Sequence, residues 1–384
     1  MDPSARPAHH SARRDGLLPL RPPTIAIATP APLRSRRLDG LRGLAVVLVI
    51  FGHEGDYSLG HPLLGEIGAV GVLLFFIFSG FLITGLLYRE VSDTGRIDLY
   101  EFYVRRGLRI LPAFWTLIGI TSLLMLLGLV TDVTWKAVLA CLFFVRNIRG
   151  RGQSLAHIWS LSLQEQFYAI WPFIMSRLGI RRSLWAAAFL VVAGTIWRGY
   201  AIARQLYVYE TQVFYLRTDF RLDSIIVGCW IALALHDDRI AGRLVRVFRA
   251  VPLLMSAPLL FTWALWASEV VALRPVFITV ETILACLAFG RFVVSNPSAI
   301  AVRICEHPAL VRIGLLSFSL YLWQQLFSVT HIPRWGPIRE FPLNLVFIVA
   351  AALVSNRFIE RPALALRRRW SRGRSGNVPV AAGA

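Results

Sequence analysis

An arginine and a histidine, eleven residues apart in the first apolar stretch, are the pair in this chain best spaced to do chemistry. Arg42 stands at the start of the run LRGLAVVLVIFGH and His53 closes it. Eleven helical steps come to within roughly 20° of three full turns, so both side chains share one helix face. The rise between them is roughly 16 Å, about half of a bilayer's hydrocarbon core. Ionisable groups at that depth are costly and usually face a bundle interior or a cavity. A cation toward one interface and a titratable base farther along the same face suit a site that holds an anion and moves a proton. In the competing reading, Arg42 snorkels as a positive-inside anchor and His53 caps the helix at the far interface. The two residues alone leave both readings open.

Three further segments place polar groups among apolar ones. LYEFYVRRGLRILPAFW sets Arg106 and Arg109 three apart on one face, with Arg105 four residues before Arg109. Arginine forks suit phosphate oxygens, so a phosphorylated molecule such as coenzyme A could dock there. A surface helix touching anionic lipid heads is the alternative. HIWSLSLQEQFYAIWPF carries His157, Gln164, Glu165 and Gln166. A partnered acid in a cavity can orient a histidine or bind hydroxyls; an interfacial helix entry with Glu165 in water is the alternative. In FRLDSIIVGCW, Arg221 and Asp223 are two apart and point in different directions, so each is expected to pair with another helix. Ser79, in FFIFSG, reads as a small residue packing two helices rather than a nucleophile.

The elements that must hold these groups are membrane helices. Of 384 residues 56% are hydrophobic and only 16% charged, and apolar stretches near twenty residues recur from about 41 to 360. The expected fold class is all-α, a polytopic transmembrane helical bundle. The net charge of +19 is assigned to arginines in loops and tails rather than to a nucleic-acid surface. Cys141, Cys229, Cys286 and Cys305 lack paired spacing and read as small buried hydrophobes, with no metal site.

Candidate spans fall at 41–57, 67–88, 111–131, 135–147, 157–176, 182–203, 219–236, 251–267, 275–294, 313–331 and 342–360. Both tails are basic, and two cytoplasmic termini need an even number. The short 135–147 is therefore demoted to a partial helix, leaving about ten membrane-spanning helices. Residues 1–36 are expected to be a disordered basic cytoplasmic tail, 37–362 the membrane domain, and 363–384 a second basic tail. No internal repeat and no secretory signal peptide is recognised.

Seven segments in order resemble the acyltransferase 3 family. RLDGLRGLAVVLVIFGH is similar to its first helix, FFIFSGFLIT to its second and FYVRRGLRILPAFW to its Arg-x-x-Arg segment. WSLSLQEQFYAIWP is similar to its tryptophan-serine-leucine motif, and FRLDSIIVG, SFSLYLWQQ and SNRFIERP to later signatures. The resemblance implies an integral membrane O-acyltransferase. It would move an acyl group from acyl-CoA, with acetyl-CoA the expected donor, to a carbohydrate, lipid-linked sugar or small hydroxylated acceptor. No tightly bound cofactor and no nucleic acid is expected; the location is a bacterial-type inner membrane.

In that reading His53 is the general base, Arg42 binds an anionic part of the donor or the oxyanion, and Glu165 is the carboxylate of the site. Arg106 and Arg109 hold donor phosphates. Asp39, Gln164, Arg221, Asp223, Tyr321, Gln324 and Glu360 are polar positions of substrate or structural type. Two positions depart from the family pattern. Gln164 stands where the motif usually has glutamate, with Glu165 rotated about 100° from it. Gln324 stands where histidine often follows SLYLW, keeping hydrogen bonding and losing titration. Some relatives carry a fused extracytoplasmic esterase-like domain; none is recognised here, so a second carrier step is expected to need a partner protein. A transporter of lipid-linked sugars or organic anions is the runner-up, and a sensor or scaffold without catalysis is the third class.

Overall fold

The structure, a computed structural model, describes residues 35–57, 62–148, 153–204, 206, 216–252, 274–296, 299–328 and 333–366. Among the described residues every regular element is helical. That suits a chain of this hydrophobicity, because in lipid the backbone groups must be satisfied within their own segment. The elements are α1 (Arg36–Tyr57), α2 (Pro62–Thr94), α3 (Leu99–Leu126), α4 (Trp135–Leu142), α5 (Ile158–Ala203) and α6 (Thr218–Ala234). There follow α7 (Ala241–Ala250), α8 (Arg274–Val293), α9 (Ile300–Cys305), α10 (Pro308–Leu315), α11 (Ser317–Ser328), a 3₁₀ turn (Pro333–Arg339) and α12 (Leu343–Ser355). A π turn (Asn356–Glu360) continues α12.

Four stretches are long and apolar enough to cross a membrane: Leu64–Thr94, Leu99–Leu126, Ile158–Ala201 and Leu343–Leu366. In the first, 72% of the most apolar window is buried inside the protein, against 22% to 33% in the others. So α2 is central, while α3, α5 and α12 turn Trp115, Leu123, Trp185, Phe189, Ile196, Val346 and Val354 outward. Apolar surface on that scale fits contact with lipid.

The expected ten spans are therefore not reached among the described helices. With 17 residues α6 is short for a crossing, and the expected span 313–331 is divided between α10 and the 12-residue α11. The expected spans 157–176 and 182–203 are the two halves of α5, which part between them at Gly179, whose φ of 73° suits a residue without Cβ. The stretch 135–147 gives only the eight-residue α4. Most of the expected span 251–267, and nearly all of both basic tails, lie outside the described residues.

Packing at the centre is backbone on backbone. A Cβ on Gly80 of α2 would lie 1.9 Å from the Ile225 carbonyl oxygen of α6, and one on Gly228 2.0 Å from that of Ile77. Ser79 is buried beside this contact, the small-residue role expected of it. Ionic ties fasten the neighbouring helices. Arg198 of α5 meets Asp223 of α6 at 2.6 Å, with side chains 1% and 3% exposed. The same guanidinium donates to Thr279 of α8 at 2.9 Å and to the Phe220 carbonyl. Arg221 pairs with Glu281 of α8 at 3.8 Å. Arg221 and Asp223 thus bond to other helices and not to each other. The four cysteines are free, three buried and Cys286 half-buried.

Candidate functional site

Helix α1 packs against α2, α9, α10 and α11 and delivers its two chemical residues to two different polar groups. The first gathers around Arg42. Asp98 caps α3 by accepting from the Glu101 amide at 2.9 Å, which fixes the start of the helix and so the phase of its arginines. Arg105 is taken up by Glu90 and Glu101, both at 3.1 Å. It therefore stands apart from the pair with which the spacing grouped it.

Arg106 lies over the Tyr168 ring at 3.7 Å, and Arg42 over the Phe78 ring at 5.5 Å, with Asp39 3.8 Å away. Arg42, Arg106 and Arg109 lie within electrostatic reach of one another and of Tyr168, and Glu360 reaches Arg109. Glu360 is buried in the π turn, where Ser319 donates to it at 2.5 Å, Ser355 at 3.2 Å and Asn356 at 3.4 Å. Glu165 has Arg106 as its charged neighbour. Its Oε1 and the Nε of Arg106 are buried without a hydrogen-bond partner among the described residues. Three guanidiniums gathered in a low dielectric repel one another, and Asp39, Glu165 and Glu360 are the carboxylates set against that repulsion. An anion with several oxygens relieves that repulsion and meets the forks with charge-assisted hydrogen bonds.

The second group surrounds His53 at the other end of α1. On α11 the residues Tyr321, Gln324, Gln325 and Ser328 recur at helical spacing and share a face, which meets the ends of α1 and α5. The His53 Nδ1 lies 3.3 Å from Gln324 Oε1, and Gln325 Nε2 lies 3.3 Å from His53 Nε2. Gln325 Oε1 accepts from the His157 backbone N–H at 3.1 Å and faces His157 Nδ1 at 2.9 Å. His157 Nε2 faces the Leu322 carbonyl at 3.0 Å. With acceptor oxygens against both ring nitrogens, His157 is a strut between α5 and α11 and is not placed to take a proton from a substrate. Tyr321 supports it, donating to the His157 carbonyl at 2.6 Å and bonding Ser160 at 2.5 Å.

Sequence reasoning passed over Glu54. It is fully buried next to His53 and accepts from Asn344 at 2.7 Å and from Ser328. It ties α1 to α12 and α11 and so fixes the helix end that carries the histidine. A carboxylate closing an apolar segment was the available signal. Gln325 was also passed over as a partner of His53. Glu165 lies with the arginines and eight residues, roughly 12 Å of rise, along α5 from His157. The site carboxylate is thus at the Arg42 end, away from the histidine. Gln164 beside it is half-buried. Among the described residues, no three His, Cys, Asp or Glu side chains are grouped to hold a metal ion.

Residues 35–356 match the model of a family described as an acyltransferase domain. The O-acetyltransferase OatA of Staphylococcus aureus strain NCTC 8325 / PS 47 is 28% identical over 361 residues, 85% of this chain and 56% of the relative. The OatA proteins of strains COL and MRSA252 match with the same identity and coverage. The chain thus spans about half the length of the curated relatives it matches. No solved structure matches.

Proposed function

The chain belongs to the acyltransferase 3 family, and from that premise we propose that it is an integral membrane O-acyltransferase. It moves an acyl group, with acetyl the expected one, from acyl-CoA to a hydroxyl of a carbohydrate, lipid-linked sugar or similar acceptor. The observation that carries this reading is the division of labour along α1: Arg42 joins Arg106 and Arg109 at one end, while α11 holds His53 at the other. The arginines hold the donor's phosphates and Arg42 the anionic part nearest the reacting end, with Glu165 setting the charge balance beside Arg106. His53 takes the proton of the acceptor hydroxyl as its oxygen attacks the thioester carbon, and returns it to the departing thiolate. In this reading ten helices span a bacterial-type inner membrane with both termini cytoplasmic. The arginine end then faces the compartment that supplies CoA, and the histidine end lies deeper.

The test is transfer of [14C]acetyl from acetyl-CoA by purified protein in nanodiscs. The acceptors are the oligosaccharide and lipid-linked sugar fractions of bacterial membranes. The wild type is expected to form an alkali-labile ester. His53→Gln, with folding intact, is expected to lower turnover by about 10²–10⁴-fold, the usual cost of losing a general base. Near wild-type turnover in that variant removes the base role. A wild type that forms no ester but moves lipid-linked sugar across vesicles identifies a transporter instead.

A further inference from the structure

The hydrogen bonds around His53 can be assigned outward from one group that has no choice. The backbone N–H of His157 can only donate, so the atom of Gln325 it meets at 3.1 Å is the amide oxygen. Gln325 therefore turns its NH₂ toward His53 Nε2. That ring nitrogen must present its lone pair, and a neutral imidazole with its lone pair on Nε2 carries its hydrogen on Nδ1. The Nδ1–H then donates to Gln324, so Gln324 faces it with Oε1. The chain of assignment leaves one group over. Gln324 Nε2 is buried, in a residue that is 0% exposed, and has no hydrogen-bond partner among the described residues.

An amide donor sealed from water without an acceptor costs about 1–3 kcal/mol. Such a group beside a reactive centre calls for an explanation. It lies about 2.2 Å from Oε1 by amide geometry, hence close to the histidine it orients.

We propose that Gln324 acts on both sides of the transfer: Oε1 fixes His53 with its Nε2 lone pair toward the acceptor hydroxyl, and Nε2–H donates to the acyl carbonyl oxygen as it becomes an oxyanion. This rests on the acyl-transfer reading with His53 as base. In the step, the hydroxyl O–H bond breaks toward His53 Nε2, displacing its long contact with Gln325, and the new C–O bond forms. The carbonyl π pair moves onto oxygen and is met by Gln324 Nε2–H. Collapse re-forms the carbonyl and breaks the C–S bond, and the thiolate takes the proton back from His53. Glutamine thus supplies the orienting acceptor and the donor from one side chain without titrating.

The discriminating variant is Gln324→Glu, which keeps an acceptor for Nδ1–H and removes the donor. Steady-state kinetics with acetyl-CoA and the acceptor fraction labelled by the wild type are compared at matched folded amounts. Expected is a fall in kcat of about 10²–10³-fold, the scale of one lost oxyanion donor, with both KM values within about threefold. Gln324→His, which can offer a ring N–H, is expected to recover at least about tenfold of that loss. Should the carboxylate disturb folding, Gln324→Met replaces it; it removes both contacts and is expected to lose at least about 10²-fold in kcat.

A kcat within about threefold of wild type in the Glu variant, or in Met where Glu does not fold, overturns the proposal. So does an unchanged kcat with a raised acceptor KM, which would assign Nε2 to ground-state acceptor binding. These failures leave the acyl-transfer reading standing so long as the wild type is active and His53→Gln is not. A wild type without transfer overturns both.

Discussion

Exchanging Arg106 and Arg109 for glutamine separates a donor-phosphate site from a lipid anchor, because the two roles predict different stability changes as well as different affinities. In the reading argued above, each arginine makes charge-assisted hydrogen bonds to phosphate, worth about 1.5–3 kcal/mol apiece. The two share one ligand with Arg42, so their losses do not add fully. About 3 kcal/mol for the pair is the working figure, which is about 10²-fold in Kd. The empty protein responds otherwise. Arg109 is half-buried and repelled by Arg42 and Arg106, with the Glu360 carboxylate acting in its favour. Arg109→Gln alone is therefore expected to leave the unfolding midpoint unchanged or to raise it slightly. Arg106→Gln also loses the stacking on Tyr168 at 3.7 Å, worth about 0.5–2 kcal/mol, and should lower it.

The assay is titration calorimetry with CoA in nanodiscs, and thermal unfolding followed by tryptophan fluorescence. Lysine at both positions restores charge without the fork and is expected to recover only part of the affinity. Two results refute the reasoning. An unchanged CoA Kd in the double glutamine variant makes the pair a lipid anchor. A clear drop in the midpoint for Arg109→Gln would mean that the guanidinium is held by the fold and is not waiting for an anion.

Two further outcomes are expected. Asp223→Ala leaves the Arg198 guanidinium buried without its carboxylate and should cost about 3–5 kcal/mol, read as a lower midpoint after extraction; replacing both by leucine should cost less, and equal losses would remove the ion pair as the cause. Glu165→Gln should damage turnover severely and Gln164→Ala less, since a buried carboxylate oxygen without a partner is expensive to keep unused. An inactive Gln164→Ala beside a fully active Glu165→Gln would move the role to the amide.

The helical class was legible because hydrophobic runs near twenty residues carry it directly, and the shortness of α4 could be read from 135–147 alone. The break in α5 was legible as well, because the charged run RLGIRR parts 157–176 from 182–203 and contains Gly179. A boundary was less legible where no polar run marks it: nothing in the hydropathy of 313–331 shows that α10 stops at Leu315 and α11 restarts at Ser317. Hydropathy measures transfer from water and is indifferent to backbone direction.

The site divided along the same line between local and distant information. That Arg42 and His53 share a face follows from eleven residues of one helix, and the structure keeps both in α1. That Gln324 and Gln325 meet His53 involves partners 271 and 272 residues away, a pairing set by how α1 and α11 pack and unreadable from either segment. Glu165 shows how the two kinds of information combine. From His157 to Glu165 is eight residues, two turns and about 80° further round. Once His157 is known to bond Gln325, which in turn meets His53, this rotation and the rise along α5 set Glu165 away from the histidine. The contact that completes the inference is the one with Arg106 on α3. A carboxylate that helical geometry removes from the base and packing gives to the arginines is better placed to tune donor binding than to relay the acceptor's proton. On that argument the damage expected from Glu165→Gln should appear first in the donor's KM.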